Sequence, residues 1–183
     1  MPRTNVLWAT VGDLPAGWPI PSHVHSFYHL FYLSFGSATF LLDGTHYCVN
    51  TGDLIIVPPG VLHQIPPESH SLLETYEVKF TVDDPEISNM LLQNGPIFKQ
   101  NTAFVQQALQ YIAYNWATSE PEQQENASTF LTAILLAIQA DQAAASDQIS
   151  TYIDTSQYND FTKRVIRYIE KNTQRPFLWN GWQ

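Results

Sequence analysis

Four of the six histidines are spaced so that they could meet in one pocket. His23, His25 and His29 lie in one short segment, and His63 lies in a second. Because side chains alternate faces along a strand, the first three are predicted to share one face of one strand. Imidazoles that converge in this way bind a divalent metal ion such as zinc, nickel or iron, or make polar contacts with an organic ligand. A third interpretation, purely structural histidines, stays open.

Further residues are predicted to line the same pocket. Phe27 and Phe31 lie on the histidine face, where their rings would form aromatic walls, and Glu77 on a later strand would add a polar group. Such a lining suits a sugar and an aromatic acid equally well, so the class of effector stays open. The sequence shows no serine–histidine–aspartate set, phosphate-binding loop or CxxC motif, and no catalytic residue is assigned.

The first half of the chain has the pattern of a mainly β domain. From about residue 5 to residue 80, short strands are predicted between turns rich in glycine and proline. Phe27–Phe35 is apolar on both faces, which is typical of a strand packed on two sides. Asp43 and Gly44 stand between two β-prone segments and predict a hairpin. Many short strands of this kind form a sandwich or a barrel.

After residue 84 the hydrophobic period becomes helical. Residues 101–116 and about 120–145 each carry an apolar stripe, and two such helices joined by a short turn form an antiparallel hairpin. Such a hairpin can cover the barrel or pair with a second copy to form a homodimer. The predicted contact residues are Phe104, Leu109, Ile112, Leu131, Leu135 and Ile138. A linker and then a terminal helix are predicted after residue 145.

Charge and composition limit the kinds of partner. The net charge of −9 argues against a nucleic-acid-binding surface spread over the chain. Five of the eight Lys and Arg residues lie between Lys163 and Arg175, so the end of the chain is basic. The single cysteine, Cys48, excludes an intramolecular disulfide, and no apolar run predicts a signal peptide or a membrane span. A cytoplasmic location without membrane contact is therefore expected.

The glycines and histidines together resemble the two motifs of the cupin superfamily. The first motif, G-x5-H-x-H-x3-E-x6-G, is matched from Gly17 to Gly36, with His29 where glutamate is usual. The second, G-x5-P-x-G-x2-H-x3-N, is matched from Gly52 to His63, with Pro67 in the place of asparagine. The resemblance implies a cupin double-stranded β-helix, which is a jelly-roll barrel.

The order of segments resembles that of an AraC-type transcription regulator. Val165–Asn172, followed by Pro176, is similar to the first helix of that family's DNA-binding domain. DNA would be bound only through a C-terminal domain that the chain lacks. The implied parts are a cupin-like effector-binding barrel at 1–84, a helical dimerisation region at 85–145, a linker at 146–158 and the start of a truncated helix-turn-helix domain at 159–183.

The resemblance implies a sensor of a small-molecule effector rather than an enzyme. In that family an N-terminal arm can fold over the pocket, which here would be Asn5–Trp18. The alternative is a metal-dependent cupin enzyme, a dioxygenase or isomerase that uses the four histidines. The helical hairpin and the basic end favour the sensor, because a stand-alone enzyme needs neither.

Overall fold

A computed structural model describes residues 4–99, 103–117, 120–145 and Lys163. Within these residues the chain forms nine strands and three α-helices. The strands are β1 Thr4–Leu14, β2 Ile20–His23, β3 Tyr28–Phe35, β4 Ser37–Leu42, β5 Thr45–Asn50, β6 Asp53–Val57, β7 His63–Ile65, β8 Leu73–Val82 and β9 Ile97–Lys99. The helices are α1 Pro85–Gln93, α2 Ala103–Trp116 and α3 Pro121–Ala145.

Two antiparallel sheets form the β part of the domain. One has five strands in the order β1-β8-β3-β6-β9, and the other has four in the order β2-β7-β4-β5. Strands far apart in sequence pair with each other, as β1 does with β8, which is the topology of a jelly roll. The predicted fold, a cupin-like barrel followed by helices, is confirmed. The predicted linker and terminal helix lie outside the described residues, apart from Lys163, which is helical.

Strand β3 separates two hydrophobic cores. It lies between β8 and β6, and its first six residues are buried, as the apolar character of Phe27–Phe35 predicts. Phe31 and Leu33 point between the two sheets, whereas Leu30 and Tyr32 pack under the helices. Alternating side chains of one strand therefore belong to different cores, so β3 connects the barrel interior to the helical layer.

The helices cover the outer face of the five-stranded sheet, which is the first of the two roles predicted for the hairpin, and the residues predicted as dimer contacts are buried there. Leu109, Ile112, Leu131, Leu135 and Ile138 are 0% exposed within the single chain, and Phe104 packs against the same core. Side chains with no exposed surface cannot contact a second subunit unless the domain opens. The apolar stripes were identified correctly, but their partner is the sheet of their own chain. None of the helices in the described residues combines the length and apolar character needed to cross a bilayer.

Two elements after residue 84 were not predicted. Helix α1 begins after Asp84, whose carboxylate accepts hydrogen bonds from the backbone N–H groups of Glu86 and Ile87, at 2.8 and 3.2 Å. Strand β9 pairs with β6, and the Lys99 Nζ lies 2.7 Å from Asp53 Oδ2. The five-stranded sheet thus contains residues on both sides of the boundary predicted at residue 84.

The N-terminal segment is part of the barrel and not a movable arm, which corrects the predicted lid. Strand β1 pairs with β8 from Thr4 to Leu14. Its beginning is also bonded to α3, because the Thr4 hydroxyl donates to the Ser128 carbonyl and the Val6 N–H donates to Ser128 Oγ, both at 3.0 Å. Opening this segment would break a buried ladder and these bonds.

The predicted hairpin between β4 and β5 is confirmed. Asp43 and Gly44 both have positive φ, 45° and 81°, as a two-residue turn matched to the strand twist requires. The Asp43 N–H donates to the Leu62 carbonyl at 2.8 Å, and the Leu62 N–H donates to Asp43 Oδ1 at 3.0 Å. The turn therefore fixes the residue that precedes His63.

Replacing Gly36 with alanine will destabilise the domain more than the same change at Gly44. Both glycines have positive φ, but a Cβ at Gly36 would lie 2.4 Å from the Leu72 carbonyl oxygen, whereas a Cβ at Gly44 would meet nothing within 4 Å. We expect Gly44→Ala to cost about 1–2 kcal/mol from backbone strain alone. In Gly36→Ala the collision adds roughly 1–3 kcal/mol to this loss in the free energy of unfolding. Urea unfolding of both variants measures the difference, and equal losses would contradict it.

Candidate metal- and ligand-binding site

Three histidines converge where the two cupin-like motifs meet. His23 ends β2 and is the cross-strand partner of His63, which begins β7. His25 follows in the connection to β3, and the Gly60 N–H donates to its carbonyl at 2.9 Å, so the second motif holds the first in place. One ligand atom from each histidine lies within 4.8 Å of the others. His23, His25 and His63 are called the histidine cluster below.

The histidines converge by a different route from the one predicted. His23, His25 and His29 do not share one strand, because β2 ends at His23 and β3 begins at Tyr28 in the other sheet. The cluster is thus built at the rim, where the two sheets approach each other. His29 lies on β3 outside the three-residue cluster, with its ring 5.6 Å from that of His25.

The hydrogen bonds of the cluster leave ring nitrogens free to bind a ligand. Nδ1 of His23 lies 2.8 Å from the Pro21 carbonyl, and Nδ1 of His63 lies 3.0 Å from the Val61 carbonyl. Because a carbonyl only accepts, both Nδ1 atoms carry the proton and both Nε2 atoms keep a lone pair. Nε2 of His63 and both ring nitrogens of His25 are buried without a hydrogen bond of standard geometry among the described residues, although the Phe27 backbone is close enough to His25 to oppose the fall in its pKa. Buried polar atoms without partners are the expected mark of a site that receives a ligand.

Burial keeps His63 and His25 neutral at physiological pH. It lowers the pKa of His63 from 6.5 to about 4, with smaller contributions from His23 and His25 and opposition from the Val61 carbonyl. Burial also lowers the pKa of His25, and repulsion by His29 acts in the same direction. Neutral imidazoles are the form that binds metal ions, so these residues are in their ligating state at pH 7.

Metal-free protein will lose stability as the pH falls from 6.5 towards 4. The folded pKa of His63, about 4, lies below the unfolded value of 6.5, so between these values the unfolded chain binds a proton that the folded chain does not. The loss from His63 approaches about 3 kcal/mol at the acid end. Urea unfolding in EDTA between pH 7 and pH 4.5 measures it. His63→Gln should lose less stability over this range, and an equal loss would show that His63 is not responsible.

His29 and Glu77 form a buried pair beside the cluster. Burial lowers the pKa of His29, and Glu77 opposes the shift. The neutral ring donates from Nε2 to Glu77 Oε2 at 3.2 Å, and the Thr75 hydroxyl donates to Glu77 Oε1 at 3.1 Å. Nδ1 of His29 is then a buried lone pair without a partner. Glu77 therefore orients His29 so that it can accept a hydrogen bond from a ligand.

The two predicted aromatic walls occupy different levels of the barrel. Phe27 stacks on His25, with ring centroids 4.2 Å apart and an angle of 9° between the planes. Phe31 is buried between the sheets, and its ring centroid lies 4.0 Å from that of His29. Phe27 thus lies beside the cluster, whereas Phe31 packs against His29 in the barrel interior.

The structure adds Lys79, which sequence reasoning missed, and places Trp8 of the predicted arm beside it in the barrel. Lys79 on β8 is the cross-strand partner of His29, and its Nζ lies 4.3 Å from the ring centroid of Trp8 and 5.8 Å from that of Phe27. A cation in an otherwise apolar and acidic segment was the available signal for Lys79. Trp8 was assigned to a lid, and the structure places it on β1 against Lys79.

The cluster fits a divalent metal ion by its donor set. Three imidazoles are a known ligand set for zinc, and nickel and iron also bind imidazole well. The Nδ1 bonds of His23 and His63 to carbonyls fix the rings in the way that second-shell partners orient metal ligands. His29 is bonded to Glu77 instead, so the predicted set of four histidines divides into a cluster of three and a separate pair.

Comparisons with known proteins give one family match and several partial structural similarities. The family model described as the AraC-like ligand binding domain matches residues 15–151. A predicted oxalate decarboxylase from Thermotoga maritima is 22% identical, with 43% of this chain and 69% of that chain covered and a TM-score of 0.39. The Cnp3 cupin domain of Schizosaccharomyces pombe is 19% identical, with 48% and 69% covered and a TM-score of 0.38. A comparison with curated protein sequences gave no significant match.

Proposed function

Because the chain belongs to the family of AraC-like ligand-binding domains, we propose that it is the effector-sensing part of an AraC-type regulator. The histidine cluster is the place where the effector is recognised. One observation carries this proposal: ring nitrogens of His25, His29 and His63 are buried together without partners. Leaving polar atoms unpaired costs free energy in the empty domain, and a ligand that supplies partners recovers it.

His23, His25 and His63 hold a divalent metal ion in this proposal. When bound, the ion supplies an open coordination position for an oxygen or nitrogen atom of the effector. The chain itself orients the three rings through the Pro21 and Val61 carbonyls. His29, fixed by Glu77, accepts a hydrogen bond from a donor on the effector.

The strands beside the cluster offer a route by which binding reaches the helices. On β8, Glu77 faces the site, whereas its neighbours Val78 and Phe80 belong to the core under the helices. β1 likewise carries Trp8 near the site and Ala9 in the helical core. A shift of these strands on binding moves both faces at once, because a packed strand behaves as a rigid element. Signal output through a dimer, in this proposal, uses surfaces outside the buried stripes.

Thermal unfolding of tag-free protein with Zn²⁺ or Ni²⁺ tests the proposal. A metal at 100 times its dissociation constant stabilises the folded chain by about 2.7 kcal/mol, which raises the Tm by several degrees. We expect this rise in the wild type and in His46→Ala, whose histidine lies exposed on β5. The rise should disappear in His25→Ala. No rise in the wild type, or the same rise in His25→Ala, would refute the assignment of the site.

A second candidate function is a metal-dependent cupin enzyme. It is favoured by one observation, the three-histidine cluster with a carboxylate, Glu77, bonded to the adjacent His29. A sensor returns its ligand unchanged, whereas an enzyme consumes it. Liquid chromatography with mass spectrometry of an organic acid incubated for hours with the iron-loaded chain separates the two. A dioxygenase would consume oxygen and yield a product of higher mass, and an isomerase would yield a product of the same mass with a different retention time.

A further inference from the structure

The barrel contains one cation that is not neutralised by a carboxylate. Between residues 4 and 145 the sequence has only two basic side chains, Lys79 and Lys99. The Lys99 Nζ lies 2.7 Å from Asp53 Oδ2, and its side chain is 73% exposed. Lys79 is half-buried, and in the part of the chain that the structure describes its ammonium group contacts only aromatic rings. A half-buried ammonium without an anion is costly unless a ligand supplies one.

Lys79 is placed at the edge of the proposed site. It pairs across the strands with His29, and its Nζ lies above Trp8 and near Phe27. Phe27 in turn stacks on His25 of the histidine cluster. Lys79, Phe27 and His25 therefore follow one another in contact, and Trp8 packs against the same ammonium group.

We propose that the effector is an organic carboxylate with a flat apolar body, which deepens the proposed function and rests on it. Its carboxylate pairs with Lys79, and its body lies against Trp8 and Phe27. Its far end reaches the histidine cluster. The ion pair is strengthened by the low polarity of the half-buried site. The aromatic faces provide apolar contact for the body.

The charge of the chain supports this class of ligand over others. With a net charge of −9 the domain as a whole repels anions, so an anionic effector needs a local cation. A neutral sugar can accept a hydrogen bond from Lys79, but it leaves the positive charge without a counter-ion. A phosphate dianion is usually held by several donors or by arginine, and this part of the barrel offers a single ammonium. One lysine between aromatic rings matches a monoanion such as a carboxylate.

Isothermal titration with benzoate tests this inference, with benzamide as the neutral analogue and acetate as the carboxylate without a ring. The protein is tag-free and is freed of metal by dialysis, so that no bound ion competes with Lys79 for the carboxylate. The ionic strength is held constant, because salt screens the ion pair. Wild type should bind benzoate at least tenfold more tightly than benzamide or acetate. Lys79→Met should weaken benzoate binding at least tenfold, and Lys79→Arg should stay within about threefold of wild type. Lys99→Met removes the same charge away from the cluster and should have no effect.

Three outcomes would overturn the inference: no binding of benzoate up to 50 mM, equal binding of benzoate and benzamide, or unchanged benzoate affinity in Lys79→Met. Binding that survives Lys79→Met but is lost in His63→Ala would reject only the carboxylate class and leave the sensor proposal standing. If the wild type shows no thermal stabilisation by Zn²⁺ but binds benzoate through Lys79, the metal assignment is rejected and the carboxylate inference stands. Trp8→Leu completes the test, because it should weaken benzoate several-fold and leave acetate unchanged.

Discussion

Replacing Leu131 with alanine will lower the free energy of unfolding by about 2–5 kcal/mol, and Leu131→Asp will prevent folding. Leu131 is 0% exposed in the core between α3 and the five-stranded sheet. Truncating a buried leucine removes apolar contact and leaves a cavity. A charge in the same place has no partner, and the cost of burying it exceeds the stability of a typical domain of this size. Urea unfolding followed by circular dichroism measures both variants.

Leu92→Ala is the matched control for Leu131→Ala. Leu92 is also a helical leucine, but it is 58% exposed on α1. Its truncation should change the free energy of unfolding by less than about 0.5 kcal/mol. A folded, monomeric Leu131→Asp protein would contradict the assignment of this leucine to the core of the single chain. Such a result would show that the stripe packs against a second subunit.

Replacing His63 with alanine will weaken Zn²⁺ binding by roughly 100-fold or more, because partners that merely orient a ligand are already worth 10- to 100-fold. His63 is 2% exposed, and its Nε2 is free to bind. His25→Ala should have a comparable effect, because the loss of either ring leaves two imidazoles. Isothermal titration of tag-free protein at pH 7 measures the change.

Two further variants control for the loss of any histidine and for the cavity that the alanine substitution creates. His46→Ala removes an exposed imidazole from β5 and should leave the affinity unchanged. His63→Gln keeps most of the side-chain volume, so it separates the loss of a ligand from the creation of a cavity. If His63→Gln binds Zn²⁺ as tightly as the wild type, His63 is not a ligand.

The barrel could be predicted from the sequence because its signals are local and fixed in spacing. The turn at Asp43 and Gly44 needs positive φ at two successive residues, and only a few residue types accept this conformation. Gly36 is required by positive φ and by the approach of the Leu72 carbonyl. Local constraints of this kind leave a pattern that can be read without knowing the rest of the fold.

The partners of the predicted elements could not be read in the same way. An apolar stripe shows that a helix is covered, but it does not show whether the cover is a sheet or a second chain. The stripe at Leu131 and Leu135 is covered by the sheet of its own chain. Strand β9 is only three residues long, too short for a periodic signal.

The residues of the site also divide into those that sequence spacing identifies and those that depend on strand pairing. His23, His25 and His63 were found because their spacing follows the motifs, although the single strand predicted to carry His23, His25 and His29 was wrong. Glu77 was predicted as a polar group, but its bond to His29 depends on the pairing of β3 with β8. Lys79 was missed for the same reason, because only this register places it opposite His29.

The central claim is that the rim of the barrel is a binding site formed by three histidines. Anomalous diffraction at the zinc edge from crystals of the tag-free chain grown with Zn²⁺ tests it most directly. We expect one strong anomalous peak about 2.0–2.1 Å from a ring nitrogen of each of His23, His25 and His63. Zinc found only at exposed histidines such as His46, with no peak at the cluster, would contradict it.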